Sequence, residues 1–191
     1  MKVYILQSLR DVDMKTGEML HSFLDAQGIQ NSFYNITSEE EFNDALSEII
    51  DDISESEMQP FIHFDCHSDE EGIAIIQDDG DEIGINWEDL SLQFRDMYFE
   101  SGRRTVLSMS CCEGFNVSKL VTLNEPCPFE CVCGSLESID FQDSYDVFSE
   151  LYRLVNEGNT VFEASVDVSN RPEFPHIRFI GLNAYTLFKI A

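Results

Sequence analysis

Basic residues are scarce in this chain. Eleven Lys and Arg stand against 37 Asp and Glu, for a formal net charge of −26 over 191 residues. Gripping a phosphate backbone takes clustered cations, so the balance argues against nucleic acid as a partner, and equally against anionic membrane surfaces. Long hydrophobic runs are also lacking: none approaches the ~20 apolar residues of a membrane-spanning helix. The first residues, "MKVYILQSLRDVD", hold an apolar run too short for a secretory leader, and Asp follows at once. With no export signal, the six cysteines read as reduced thiols of a cytoplasmic protein. Internal repeats and low-complexity linkers are absent, and the length suits one core better than two, so residues 1–191 are expected to form a single domain. Apolar residues are plentiful at 43%, with 15 Phe, which marks a globular chain and not a disordered acidic tail. The acid excess favours basic partners or substrates, or serves solubility alone.

Strand-like and helix-like segments alternate along the chain. "KVYILQ" (2–7), "NSFYNI", "PFIHFDCH" (60–67), "RTVLSMS" (104–110) and "FECVCGS" (129–135) read as buried strands, with "HIRFIGL" as a last one. Between the first two, Met19, Leu20, Phe23 and Leu24 share a helical face, and Gly28 stands where a helix ends. "TSEE" from Thr37 reads as a capping box ahead of Phe42, Ala45, Leu46, Ile49, Ile50 and Ile53 at helical spacing. "GIAIIQDDGDEIGI" (72–85) reads as a hairpin with Asp-Asp-Gly at its tip, and Asn86 can cap the helix that follows. "DSYDVFSELYRLVNEG" reads as a helix ending at Gly158. The alternation predicts an α/β fold, a mainly parallel central sheet with helices on both faces.

In such sheets ligands gather at the carboxyl ends of the strands. Two predicted strands end in chemistry: one at Cys66-His67, the other at Cys111-Cys112. A cysteine nucleophile needs a base or an electropositive setting to raise its thiolate fraction, and His is the usual partner. His67 precedes the turn "SDEEG", which would expose it, and Gly114 permits a tight turn after the cysteine pair. Backbone N–H groups of Cys112 and Ser68 are placed to bind an oxyanion. Successive strand residues point to opposite faces, so only one of Cys111 and Cys112 can face His67, and the other belongs in the core. Strand periodicity alone does not choose between them.

"FIHFDCHSDEEGIAI", "INWEDL" and "TVLSMSCCEG", in that order and spacing, resemble the caspase-like cysteine peptidases of clan CD, most of all their bacterial CHAT-type branch. The likeness covers roughly residues 60–165 and extends to "FECVCGS" and "DSYDVFSELYRLVNEGNTVFEAS". It implies a caspase-like three-layer sandwich and a cofactor-free cysteine endopeptidase with His67 as base. The family's Ala-Cys-x-Gly pattern falls on Cys111-Cys112-Glu113-Gly114 and makes Cys112 the nucleophile. The longer Cys-x-Ser-Gly form would select Cys111 instead. The chain departs from the family at the base: Ser68 stands where a glycine is expected, and Cys66 where CHAT domains usually have glycine. That departure keeps a second reading in view, a catalytically inactive interaction module in a signalling or defence system.

The expected partner is a peptide or protein substrate. A strongly acidic domain suits Lys or Arg at P1, and Asp65, Asp140 and Asp143 are the candidate carboxylates for binding it. A zinc module is the rival chemistry, since Cys127, Cys131 and Cys133 cluster in the sequence and Cys66-His67 could join them. Zinc knuckles, however, space their cysteines on turns, whereas Cys131 and Cys133 alternate on an apolar strand. "SDEE" (68–71) and "DDGDE" (78–82) lack EF-hand spacing and read as solvated turns, so no metal is assigned. The loop from Lys119 to Pro128 is a position where self-cleavage would fit.

Overall fold

The computed structural model describes residues 1–120, 127–174 and 179–183. Its centre is an eight-stranded sheet. Strands β1 (Lys2–Ser8), β2 (Gln30–Asn35), β3 (Pro60–Ser68), β6 (Thr105–Ser110), β7 (Phe129–Ser135) and β8 (Phe179–Asn183) lie in the order β2-β1-β3-β6-β7-β8. The first five run parallel, and β8 is antiparallel to β7. β4 (Gly72–Ile76) and β5 (Glu82–Asn86) form the expected hairpin, joined antiparallel to the end of β3. Of "HIRFIGL", residues 176–178 lie outside the described residues, as do residues 121–126 of the Lys119–Pro128 loop.

Strand parity builds two cores. Tyr4, Leu6, Ile62, Phe64, Leu107, Met109 and Val132 face one side of the sheet, where α2 (Glu39–Glu55) and α3 (Trp87–Ser101) cover them. Val3, Ile5, Phe61, Val106, Cys131 and Cys133 face the other, under α1 (Thr16–Ala26), α4 (Phe141–Asn156) and α5 (Val161–Ser169). With apolar side chains needed on both faces, the central strands read as continuous hydrophobic runs and not as alternating ones.

The helices form where local signals and an apolar stripe agree. In α2, Phe42, Ala45, Leu46, Ile49 and Ile53 are buried, each fully covered Ile or Phe contributing roughly 1.5–3 kcal/mol. Its cap is Ser38, one residue later than expected: the Ser38 hydroxyl accepts the Glu41 N–H at 3.1 Å. The Glu41 carboxylate in turn takes the N–H and hydroxyl of Thr37. Asn86 caps α3 through the Asp89 N–H at 2.9 Å, and Gly102, at φ 67°, ends it in a left-handed conformation that L side chains resist. α4 starts two residues earlier than the sequence indicated, because Asp140 accepts the Asp143 N–H at 2.8 Å. α5 was not anticipated. Thr160 and Glu163 form a reciprocal capping box at its start.

Candidate active site

The site arises from register. β3 and β6 run parallel, and the last paired residues are Asp65 and Ser110. One step further on, the Cys66 and Cys111 thiols meet. β6 ends at Ser110, and Cys112 stands in the turn that follows. Cys66 and Cys111 are buried in the core beneath α2 and α3. His67 and Cys112 lie instead at the start of α4, His67 against the Phe141 ring and Cys112 against the Ile139 carbonyl.

Local contacts agree with that division. The Cys66 thiol engages Cys111 in a side-chain hydrogen bond, and that bond, with burial, drives the Cys66 pKa well up. A Cβ on Gly114 would lie 2.7 Å from Cβ of Met109 and 3.1 Å from Cys111 Sγ, so the turn closes over Cys111 only because residue 114 lacks a side chain. Cys112 is partly exposed, with Sγ 3.7 Å from the Ile139 carbonyl oxygen. Glu113, between them, sits at φ 52°. A non-glycine residue in this region costs on the order of 1 kcal/mol or more and commonly marks a functional turn. From Gly114 the chain continues as a 3₁₀ segment to Leu120.

His67 is half-buried. Its Nε2 lies 3.0 Å from Asp13 Oδ2, and its ring meets Phe141 edge-on at 6.2 Å between centroids. Burial alone would raise the Asp13 carboxyl. The hydrogen bonds from His67 and from the Arg10 N–H outweigh burial and hold it below the usual carboxylate range. Asp13 carries no motif and was missed in the sequence. The available signal was topological: a parallel sheet with β1 beside β3 brings the loop after β1 to the end of β3.

Ser68 links the two strand ends. Its hydroxyl donates to the Cys112 carbonyl at 2.5 Å. Where the β3–β4 hairpin closes, the Asp69 N–H donates to the Gly72 carbonyl and the Gly72 N–H to the Asp69 carboxylate. The next pair, Ser68–Ile73, is then non-hydrogen-bonded. The Ser68 N–H consequently turns away from β4, towards the side where β6 ends. Beside Ser68 lies a cleft of about 370 Å³ whose lining includes Asp69, Glu71 and Glu82. Glu82 is paired with Arg10.

The three carboxylates expected at the substrate end differ in placement. Asp65 is 1% exposed and encloses its charge: it accepts from the Thr16 hydroxyl at 2.7 Å and from the Gly17 N–H, with the Ser110 hydroxyl at 3.4 Å. It therefore anchors the N-terminus of α1 and is not presented to solvent. Burial raises its pKa to about 6 against those hydrogen bonds. Asp140 is exposed, caps α4, and directly follows Ile139, whose carbonyl meets the Cys112 thiol. Asp143 lies in the first turn of α4 and is half-buried.

The rival zinc cluster does not assemble. Cys131 and Cys133 are buried on one face of β7 with sulfurs 4.0 Å apart, and Cys127 Sγ meets the Phe129 carbonyl. Among the described residues, no three or more His, Cys, Asp or Glu side chains are grouped to hold a metal ion. Nor is any helix among them long and apolar enough to cross a membrane.

No family model matches the chain, and no curated protein matches it. Its architecture does have solved counterparts. The crystal structure of the Drosophila initiator caspase Dronc superposes with a TM-score of 0.60 at 10% identity, over 95% of this chain and 79% of that one. The fold is caspase-like. Raptor from Chaetomium thermophilum superposes with a TM-score of 0.53 at 13% identity, over 98% of this chain and only 20% of its own. At these identities the likeness concerns the caspase-like fold alone.

Proposed function

We propose that this caspase-like domain is a cysteine endopeptidase with Cys112 as nucleophile and His67 as base. The observation that carries this reading is the shared neighbourhood: His67 at the end of β3 meets Phe141, and Cys112, in the turn just after β6, meets the Ile139 carbonyl, both at the start of α4, whereas Cys111 is closed into the opposite core. His67 takes the Cys112 proton, and the thiolate adds to the scissile carbonyl carbon. The oxyanion is held by the backbone N–H groups of Cys112 and Ser68. Collapse of the adduct breaks the C–N bond, with the amine leaving as it takes the proton from His67. Water then hydrolyses the thioester, releasing the carboxylic acid and restoring the thiol. No cofactor enters these steps.

Substrates with Lys or Arg at P1 fit the surroundings best. Asp140, an exposed carboxylate, directly follows Ile139, whose carbonyl meets the Cys112 thiol, and the cleft next to Ser68 is lined by further acids. A bacterial CHAT-type relationship and a cytoplasmic setting accord with the order of the motifs and the reduced thiols. The test is a peptide carrying an acyloxymethyl ketone after Arg. A covalent adduct at Cys112, absent in His67→Ala, is the expected result. No adduct with any P1 residue would overturn the peptidase reading.

One observation favours a second reading. The Cys112 thiol is within donating distance of the Ile139 carbonyl, a contact made by a protonated sulfur and not by a thiolate. A caspase-like module that docks a protein partner without cleaving it would keep this arrangement. It would leave the same probe unreacted while Cys112 remained accessible to a small alkylating reagent.

A further inference from the structure

We infer that Asp13 is a positioning residue for His67, completing a Cys112–His67–Asp13 relay at the mouth of the sheet. The inference rests on the peptidase reading for its purpose, though its geometry stands independently. Asp13 Oδ2 accepts from His67 Nε2 at 3.0 Å. Committing the Nε2–H to a carboxylate leaves Nδ1 as the ring nitrogen with the lone pair, the one that can accept a thiol proton. Once His67 is protonated, the carboxylate opposite Nε2 stabilises the imidazolium, and with it the thiolate–imidazolium pair.

The carboxylate is well held. The same Oδ2 accepts the Arg10 N–H at 2.9 Å, and the Asp13 N–H donates to the Arg10 carbonyl at 3.0 Å. Lys15 Nζ clamps the loop from outside by donating to the carbonyls of Leu9 at 2.8 Å and Arg10 at 2.7 Å. Immediately after it, Thr16 and Gly17 are tied to the enclosed Asp65 at the end of β3. Asp13 thus sits on a loop fixed at both ends: at one by β1, at the other by an α1 N-terminus anchored to the strand that carries His67. The charged groups facing His67 are Asp13 and, more distantly, Asp65; those facing Asp13 are His67 and Arg10. The side chain of Asp13 is only 12% exposed, so bulk water weakens the contact little.

The experiment measures iodoacetamide modification of Cys112 in the full chain, resolved by peptide mass spectrometry. At about pH 7, Asp13→Asn is expected to slow modification about tenfold, equivalent to ~1.4 kcal/mol of lost stabilisation of the thiolate–imidazolium pair. Near pH 9.5 a cysteine ionises without help, and the two rates should converge. Asp13→Glu should recover part of the neutral-pH rate. In a His67→Ala background, Asp13→Asn should add nothing. Lys15→Met, which removes the clamp on the loop but keeps the carboxylate, should slow modification less than Asp13→Asn does. Equal rates for wild type and Asp13→Asn at neutral pH would overturn the inference, as would a further loss in the His67→Ala background. Peptide turnover is followed separately. A chain that cleaves no peptide but still shows Asp13-dependent modification loses the peptidase reading and keeps this one.

Discussion

Cys66 and Cys111 face each other across β3 and β6, one step beyond the last ladder pair, and their thiols share a hydrogen bond beneath the site. That contact divides the adjacent cysteines by role. Cys111 fills core, so Cys111→Ala should lower stability by about 1 kcal/mol, or somewhat more if the vacated space stays open. It should leave Cys112 reactive. Cys112 is partly exposed at the turn, so Cys112→Ala should leave the urea midpoint within error of wild type and abolish probe labelling. The opposite pattern would exchange the two assignments.

Ser68 follows the proposed base, where the resemblance to caspase-like peptidases leads to an expected glycine, and its hydroxyl ties the end of β3 to the Cys112 carbonyl. Ser68→Ala removes the tie and keeps the backbone N–H. Stability should fall by about 1 kcal/mol for the lost hydrogen bond. In the proposed peptidase, kcat should drop about tenfold as the Cys112 turn loosens, equivalent to ~1.4 kcal/mol. An unchanged kcat would mean that the strained Glu113 turn holds the nucleophile unaided.

On the same face of β3, Asp65 and His63 make opposite demands on pH. Burial raises Asp65 to about 6, well above its ordinary 3.8. The folded state therefore binds its proton more tightly than the unfolded chain does. Asp65 favours folding below about pH 4 and loses up to roughly 3 kcal/mol of that contribution as pH rises to about 6. His63, buried against Phe148 and Tyr152, is pushed down by burial from 6.5 to about 3. The unfolded chain protonates it first, so its contribution is present above about pH 6.5 and is lost as pH falls towards 3. Denaturant midpoints at several pH values, for wild type, Asp65→Asn and His63→Gln, separate the two. Asp65→Asn should gain stability relative to wild type as pH rises from 4 to 6. The deficit of His63→Gln should shrink as pH falls. Parallel curves in either comparison would contradict the stated direction.

The strands were legible because each central one must bury both faces, and long apolar runs such as "FIHFDCH" leave little choice. The hairpin was legible from Asp-Asp-Gly, which the strands on either side flank closely. α5 was not, because "VFEASVDVS" leaves Phe162 and Val166 exposed and lacks a clear apolar stripe. Its one plain signal was the Thr160–Glu163 capping box. The antiparallel direction of β8 depends on a chain reversal that no local residue announces. At the site, His67 and the cysteine pair stood out because both end strands. Asp65 read in "HFDCH" as a candidate to bind a basic P1, yet the α1 N-terminus encloses it, and that contact exists only after the sheet has formed. Asp13 required the same step: its chemistry is invisible until strand order sets the loop after β1 against the end of β3.

Substrate charge gives the sharpest test of the site's surroundings. The net charge of −26 attracts any cationic peptide, and salt screens that attraction over about 8–10 Å. A specific carboxylate beside Cys112 behaves differently, because a contact pair shielded from water persists when the general field is gone. Asp140 is the exposed candidate, and Asn at this position still caps a helix. Asp140→Asn therefore removes the charge while preserving the start of α4. Comparing kcat/KM for Arg and neutral P1 peptides at low and high salt, wild type should keep a preference for Arg at high salt, and Asp140→Asn should lose most of it with its melting temperature unchanged. A preference that disappears with salt in both proteins would assign the effect to net charge alone. Faster cleavage after Asp or an apolar residue would remove basic specificity and leave the Cys112–His67 chemistry standing.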